Sequence, residues 1–313
     1  MRRRLIIDTD PGLDDAVAIL LALAAADELE VLGIVAVAGN LPLSQTERNA
    51  RRICELAERP DVPVYAGCAR PVLRPLATAE RVHAETSRDQ LLLPEPTMAP
   101  QAQHGVDFLI ETLRSADPGT ITLCALGPLT NIAMALVKAP EIAGQIHELV
   151  LMGGAGFELG NVTPAAEFNI HVDPHAAAIV MNSGIPITMI PLDVTHQVLS
   201  TPLRIEALRS LENSCGRAVA ALLGSFEKNR RAKFGSRARA LHDPSVIAYL
   251  VRPTLYEGRD VNVAIEIESP LTIGMTVVDW WGVTGRSVNV RFMTKVDANG
   301  FYELLTEKLA RLP

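Results

Sequence analysis

Asp8-Thr9-Asp10-Pro11-Gly12-Leu13-Asp14-Asp15-Ala16, residues 8–16, decides how this sequence folds. Arg4 to Asp8 is a short apolar run that enters the Pro11-Gly12 turn, and from Leu13 to Ala26 apolar residues recur at helical spacing. The stretch reads as strand, turn and helix. On its C-terminal side, Leu29 to Ala38 is a nearly continuous β-branched and apolar run closed by Gly39-Asn40, and Thr46 to Glu58 returns to helical polarity. The alternation recurs at Ile121 to Leu126 before a helix starting near Pro128, at Leu149 to Met152 before Gly153-Gly154, and at Ile187 to Ile190 before Asp193. Strands buried on both faces and alternating with helices predict an α/β fold, a doubly wound and mostly parallel sheet with helices on both faces. Past about Asp260 the stretches Val261 to Glu268, Thr272 to Val278 and Ser287 to Phe292 alternate, which predicts extra antiparallel C-terminal strands at an edge or in a small subsheet. The Pro-rich stretches Arg59 to Pro75 and Leu93 to Pro100 read as ordered loops. No internal repeat, low-complexity tract or charged linker divides residues 1–313, so a single domain is expected.

Hydrophobic residues at 48% and charged residues at 21% are ordinary globular proportions. A net charge of -7 leaves no basic stripe for a phosphate backbone, which argues against a nucleic acid polymer as partner and for a small neutral or cationic ligand. The apolar run Ala16 to Ala26 is too short to span a bilayer, so no membrane partner is expected. After Met1-Arg2-Arg3-Arg4 the apolar stretch Leu5-Ile6-Ile7 is cut short by Asp8, which does not suit a secretory signal. Cys54, Cys68, Cys124 and Cys215 have neither metal-ligand nor redox spacing and read as reduced packing residues of a cytoplasmic protein.

Open α/β sheets bind ligands at the carboxyl ends of their strands. The residues that follow each apolar run are therefore the ones to inspect: Asp8, Asp10, Asp14 and Asp15, then Asn40, the Leu126 turn, Asn161 to Asn169, Asp193, and His242-Asp243. The first four acids sit within one strand-to-helix turn. One explanation is local: Asp10 caps the helix, Pro11 takes its first turn, and Asp14 and Asp15 sit at the positive end of the dipole. Capping needs only one acid, however, and packed like charges repel unless a cation neutralises them. An oxygen-only set without nearby Cys or His suits a hard ion such as Ca²⁺ or Mg²⁺. The EF-hand spacing is absent, so ligands must come from separate segments, with Asp243 the best distant donor.

DTDPGLDDA (8–16) resembles the N-terminal fingerprint of the inosine–uridine-preferring nucleoside hydrolase family. The resemblance continues in order through Gly39-Asn40, Leu126-Gly127-Pro128-Leu129-Thr130-Asn131, Met152-Gly153-Gly154, GNVTPAAEFNI (160–170) with Val172-Asp173-Pro174, Leu192-Asp193-Val194-Thr195-His196 and Leu241-His242-Asp243-Pro244. It implies hydrolysis of the N-glycosidic bond of ribonucleosides, a bound Ca²⁺ and a homodimer or homotetramer. It makes Asp10, Asp15, the backbone carbonyl of Leu126 and Asp243 the calcium ligands, although relatives commonly have Thr where Leu126 stands. It also makes Asp14 and Asn169 ligands of the ribose hydroxyls, with Asn40 close by and Asn161, Glu167 and Met152 at the 5′ end.

Cleaving an N-riboside drives the sugar toward an oxocarbenium ion, so catalysis needs an aligned water, stabilised positive charge and a protonated leaving base. Asp10 is expected to be the general base toward a calcium-bound water, and the other carboxylates face the developing charge. His242, next to a proposed ligand, is placed by the resemblance beside the leaving nucleobase and is the candidate acid for it. A His before Asp-Pro is also an ordinary helix start, and Asn161, Glu167 and Asn169 could be plain loop formers beside Gly160, Thr163 and Pro164. His83 is a candidate for the nucleobase, although a surface loop His needs no role. A haloacid-dehalogenase-like phosphatase would also carry Asp8-Thr9-Asp10 after a strand, but Gly12 stands where its motif needs Thr or Val. A non-catalytic calcium and ribose binder would keep the acids without needing Asp10 and His242 together.

Two departures lie on the nucleobase side. Relatives commonly read HGESGLDG where this chain has His83-Ala84-Glu85-Thr86-Ser87-Arg88-Asp89-Gln90, and where relatives place aromatic or His side chains around the base this chain reads Glu227 to Phe234, with Asn229-Arg230 in place of aromatic residues and no obvious stacking residue. They leave room for a non-standard N-riboside. The segments Gly160 to Asp173 and Leu192 to His196 most resemble the pyrimidine-preferring bacterial branch, so uridine and cytidine are the expected substrates.

Overall fold

Each apolar run carries a row of backbone donors and acceptors that only a neighbouring strand can satisfy away from water. In chain order the elements are β1 (Arg3–Thr9), α1 (Leu13–Ala24), β2 (Leu29–Ala36), α2 (Leu43–Leu56), β3 (Val64–Ala66), α3 (Gly105–Ser115), β4 (Ile121–Ala125), α4 (Thr130–Lys138), β5 (Ile146–Met152), α5 (Phe168–Val172), α6 (Pro174–Met181) and β6 (Ile187–Ile190). There follow α7 (Leu192–Thr195), β7 (Leu199–Ser200), α8 (Pro202–Arg209), α9 (Ser214–Phe234), β8 (Arg239–Ala240), α10 (Pro244–Val251), β9 (Tyr256–Ile265), β10 (Thr276–Asp279), β11 (Val290–Val296) and α11 (Ala298–Leu309). This computed structural model describes residues 2–78, 93–234 and 239–313, with the side chains of 225–234 excepted.

The main sheet has nine strands in the order β10-β9-β11-β6-β5-β4-β1-β2-β3. All pairings from β11 across to β3 are parallel, while β9 lies antiparallel to both β11 and β10. Successive side chains of a strand point to opposite faces, so Leu5 and Ile7 enter one core and Ile6 the other. Val17, Ile53, Val246 and Phe301 of α1, α2, α10 and α11 close the first core. Phe108, Ile132 and Val180 of α3, α4 and α6 close the second. The fold is the expected α/β sheet with helices on both faces. All 12 residues of α1 are buried, which accounts for its apolar run without a polar stripe.

Three details differ from the sequence expectation. Val64–Ala66 forms the edge strand β3 inside a stretch that reads as loop, since three residues are too few to display a periodicity. The helix expected near Pro128 begins at Thr130. The Ser287 to Phe292 stretch becomes β11, antiparallel to β9 as expected but also parallel to β6 on its other side. Its alternation reports one exposed face, with Val290 and Phe292 buried and Arg291 exposed, and that pattern is blind to the direction of the neighbouring strand. A separate two-residue ladder pairs Leu199 with Ala240 and Ser200 with Arg239, which carries the chain back over the sheet just before His242. No helix among the described residues is long and apolar enough to cross a membrane.

Candidate active site

From β1 the sheet proceeds through β2 and β3 on one side and through β4, β5 and β6 on the other. Such a reversal opens a crevice at the carboxyl ends of the central strands. Leaving β1, the chain delivers Asp10 into this crevice. Leaving β2 it delivers Gly39-Asn40, and leaving β4 it delivers Leu126-Gly127, whose Leu126 N–H donates to the Asp8 carbonyl at 2.8 Å. Asp10 is fully buried, and its Oδ2 accepts the Asn40 N–H at 2.6 Å. A Cβ at Gly39 would stand 2.1 Å from Asp10 Oδ2, and one at Gly127 would stand 2.5 Å from Oδ1. Only glycine fits at either place. Asp10 Oδ1 is buried without a hydrogen-bond partner in the structure.

Asp15 has the opposite character. Its Oδ1 accepts the Thr9 hydroxyl at 2.6 Å and the Asp10 N–H at 3.2 Å, and its Oδ2 accepts the Gly12 N–H at 3.0 Å and the Asn40 Nδ2 at 3.3 Å. Asp15, not Asp10, therefore caps α1. Asp14 accepts the His242 N–H at 3.0 Å on Oδ2 and faces the Arg239 guanidinium at 3.3 Å on Oδ1. Asp243, at the start of α10, is buried beside them.

Burial is the largest influence on these acids, and it raises the pKa of Asp10, Asp15 and Asp243. Mutual repulsion adds to it: Asp15 raises Asp10, Asp14 raises Asp15, and all three raise Asp243. Asp8 is also pushed up, to about 8, by burial, and the Asn131 side chain pulls it back. A counter-cation beside these groups would favour their ionised forms. As the side chains stand, no three His, Cys, Asp or Glu among the described residues form a ready-made cage, Asp15 being turned to Thr9 and Gly12. The donor set nevertheless fits a hard cation: it is all oxygen, and Asp10 Oδ1 has no other partner.

The sugar candidates meet on the same rim. Asn169 Nδ2 donates to the Leu126 carbonyl at 2.8 Å and to the Met152 carbonyl at 3.1 Å, which ties β4, β5 and α5 together. A carbonyl has a second lone pair, so the Leu126 oxygen keeps capacity for another partner. Glu167 caps α5: Oε1 accepts the Asn169 N–H at 3.0 Å and Oε2 the Gly154 N–H at 3.0 Å, while burial pushes its pKa up to about 7. Asn161 is exposed, and its Oδ1 accepts the Phe168 N–H at 2.9 Å. His242 is half-buried, with Nδ1 2.7 Å from the Thr195 hydroxyl. His83 and the Ser87 to Gln90 segment lie outside the described residues, as do the side chains of Asn229 and Arg230. Two surface clefts, one lined by Arg59 and Asp61 and the other by Arg311 and Leu312, lie toward the opposite end of α1 and take no part.

Three contributors were not assigned from sequence although they stand inside the motifs read there. Asn131 donates from Nδ2 to Asp8 Oδ2 at 2.8 Å and accepts the Cys68 N–H at 2.7 Å, bracing the crevice from α4. Asp193 gathers the N–H groups of Gly156, Phe157 and Glu158 at 2.8, 2.7 and 3.2 Å. Thr195 meets His242 across 47 positions of sequence. A polar residue directly after an apolar strand was the available signal, and it cannot name a partner.

A family profile described as inosine-uridine preferring nucleoside hydrolase matches residues 5–303. An uncharacterized protein of Schizosaccharomyces pombe is 52% identical over 310 residues, covering 99% of this chain and 100% of the relative. The pyrimidine-specific ribonucleoside hydrolase RihA of Shewanella sp. (strain MR-7) is 46% identical over 311 residues, covering 99% and 97%. Among solved structures, a purine-preferring ribonucleoside hydrolase from Gardnerella vaginalis superposes with a TM-score of 0.90 at 32% identity, covering 98% of each chain.

Proposed function

This chain belongs to the inosine-uridine preferring nucleoside hydrolase family and hydrolyses ribonucleosides to ribose and free base, and from that premise we propose how its rim divides the work. Asp10 is the general base that takes the proton of the attacking water. The observation that carries this assignment is its placement: pinned at the switch point between two glycines, it keeps one buried oxygen without a partner. Asp10, Asp15, the Leu126 carbonyl and Asp243 would hold a Ca²⁺, which when bound orients and acidifies the water and grips ribose hydroxyls. Asp14 and Asn169 bind those hydroxyls, Asn40 orders Asp10 and Asp15, and Met152, Asn161 and Glu167 shape the 5′ end. Glu167 does so by holding the Gly154 and Asn169 amides. The carboxylates on the rim favour a sugar that gains positive charge over the neutral nucleoside, so binding strengthens as the bond breaks. His242 gives its proton to the departing base, with His83 as a second donor to the base.

Uridine and cytidine are the preferred substrates on this reading, supported by 46% identity to a relative named pyrimidine-specific. The altered 83–90 segment supports a second reading, in which a non-standard N-riboside is taken by the same chemistry. Exposed Leu271, Trp281 and Val283 support assembly into a homodimer or homotetramer, and the free cysteines suit the cytoplasm. Incubation with several nucleosides and with p-nitrophenyl phosphate tests the whole assignment. Free ribose without phosphate release is expected. Phosphate release, or nucleoside binding without ribose, would overturn it.

A further inference from the structure

We propose that Thr195 is the positioning residue for His242, aiming its imidazole at the departing nucleobase. The inference rests on His242 acting as the leaving-group acid and adds the element that sets its aim. Thr195 is fully buried at the end of the one-turn helix α7, and its Oγ1 lies 2.7 Å from His242 Nδ1. A β-branched side chain has few rotamers, so the hydroxyl is held in place rather than sampling. A hydroxyl both donates and accepts, and it therefore keeps this bond whichever protonation state the ring holds. With Nδ1 committed to Thr195, a proton given to the base leaves from Nε2.

The turn that carries Thr195 is itself anchored. Asp193 accepts three successive amide N–H groups from Gly156 to Glu158, and the Leu192 N–H donates to the Gly154 carbonyl at 2.9 Å. The loop that leaves β5 is thus locked to the turn that leaves β6. His196, the next residue, stacks edge-on to His242 with ring centroids 5.9 Å apart, and its Nδ1 lies 3.1 Å from Glu158 Oε2. The backbone end of His242 is fixed separately through its N–H to Asp14. The backbone end and the Nδ1 end of His242 are thus met by separate elements, Asp14 of α1 and Thr195 of α7, and Thr195→Val removes the second contact alone.

The test compares Thr195→Val, Thr195→Ser and Thr195→Ala with His242→Ala, on uridine and on p-nitrophenyl β-ribofuranoside, whose leaving group needs no proton. Val keeps the shape and removes the polar contact, and Ser keeps the hydroxyl. Thr195→Val is expected to lose about tenfold or more in kcat/KM on uridine and less than about threefold on the activated riboside, a selective loss that a general packing defect does not produce. Thr195→Ser should stay within about threefold of the parent on both substrates. Thr195→Ala should follow Val, and it carries the test if the Val protein does not fold. Equal losses on both substrates for Val or Ala, or a Ser variant as impaired as Val, would overturn the positioning role. If His242→Ala itself loses equally on both substrates, the acid assignment falls and the inference falls with it, in an arm separate from the Thr195 variants.

Discussion

On the proposed sugar side of the rim the carboxylates of Asp10 and Asp15 are fixed by the backbone amides of Asn40 and Gly12 and by the Thr9 hydroxyl. On the proposed base side the His242 ring meets the Thr195 hydroxyl and the edge of the His196 ring, which is itself part exposed. A backbone donor survives substitution of its own side chain, whereas a side-chain donor can be exchanged by one substitution. On the proposed assignment the difference separates the chemistry, held largely by backbone amides, from recognition of the leaving group, held by side chains on turns.

The largest expected effect lies on the sugar side. Asp10→Ala should lower kcat/KM by about 10⁴-fold or more on every nucleoside, because it removes a base and a proposed cation ligand together. Ribose release at an undiminished rate would break the contrast at its root. The same side predicts bound Ca²⁺ in the purified enzyme by elemental analysis, with Asp15→Ala losing both the metal and most of the rate. An active preparation devoid of divalent metal would remove the cation from the site. Moving across the rim, His242→Ala should cost about 10²-fold on inosine or uridine but little on an activated riboside, since general acid assistance matters only for a poor leaving group. The smallest expected effect concerns the base alone: kcat/KM for uridine and cytidine should exceed that for inosine and adenosine. An advantage of about tenfold for either purine would reverse the base preference while leaving the sugar side intact.

How much of this could be read from the chain follows the same division. Parallel strands buried on both faces are written as apolar runs, and the residues just after them face the crevice, so Asp10, Asp15, Asn40 and Leu126 could be placed by pattern before any contact was known. The role of Asp15 was less visible. Sequence suggested Asp10 as the cap of α1, but the carboxylate that reaches the Gly12 N–H comes from the third residue of the helix, a choice made by the angle at which the chain leaves β1. β3 was hidden by its length and the parallel pairing of β11 with β6 by the ambiguity of alternation. The Thr195–His242 and Asp8–Asn131 pairs join residues 47 and 123 positions apart, and polar partners at such separations leave no local pattern.

Gly39 and Gly127 bear on how this protein can change over generations. A single added methyl at either place would collide with the Asp10 carboxylate from one side or the other. Mutational drift is thus closed at two points far apart in sequence, because any side chain there must displace the group proposed to start the reaction. Drift remains open along the turns proposed to hold the base. On that proposal, a change of nucleobase need not pass through an ancestor that has lost the ability to cut the riboside, because the steps fall away from the Asp10 carboxylate.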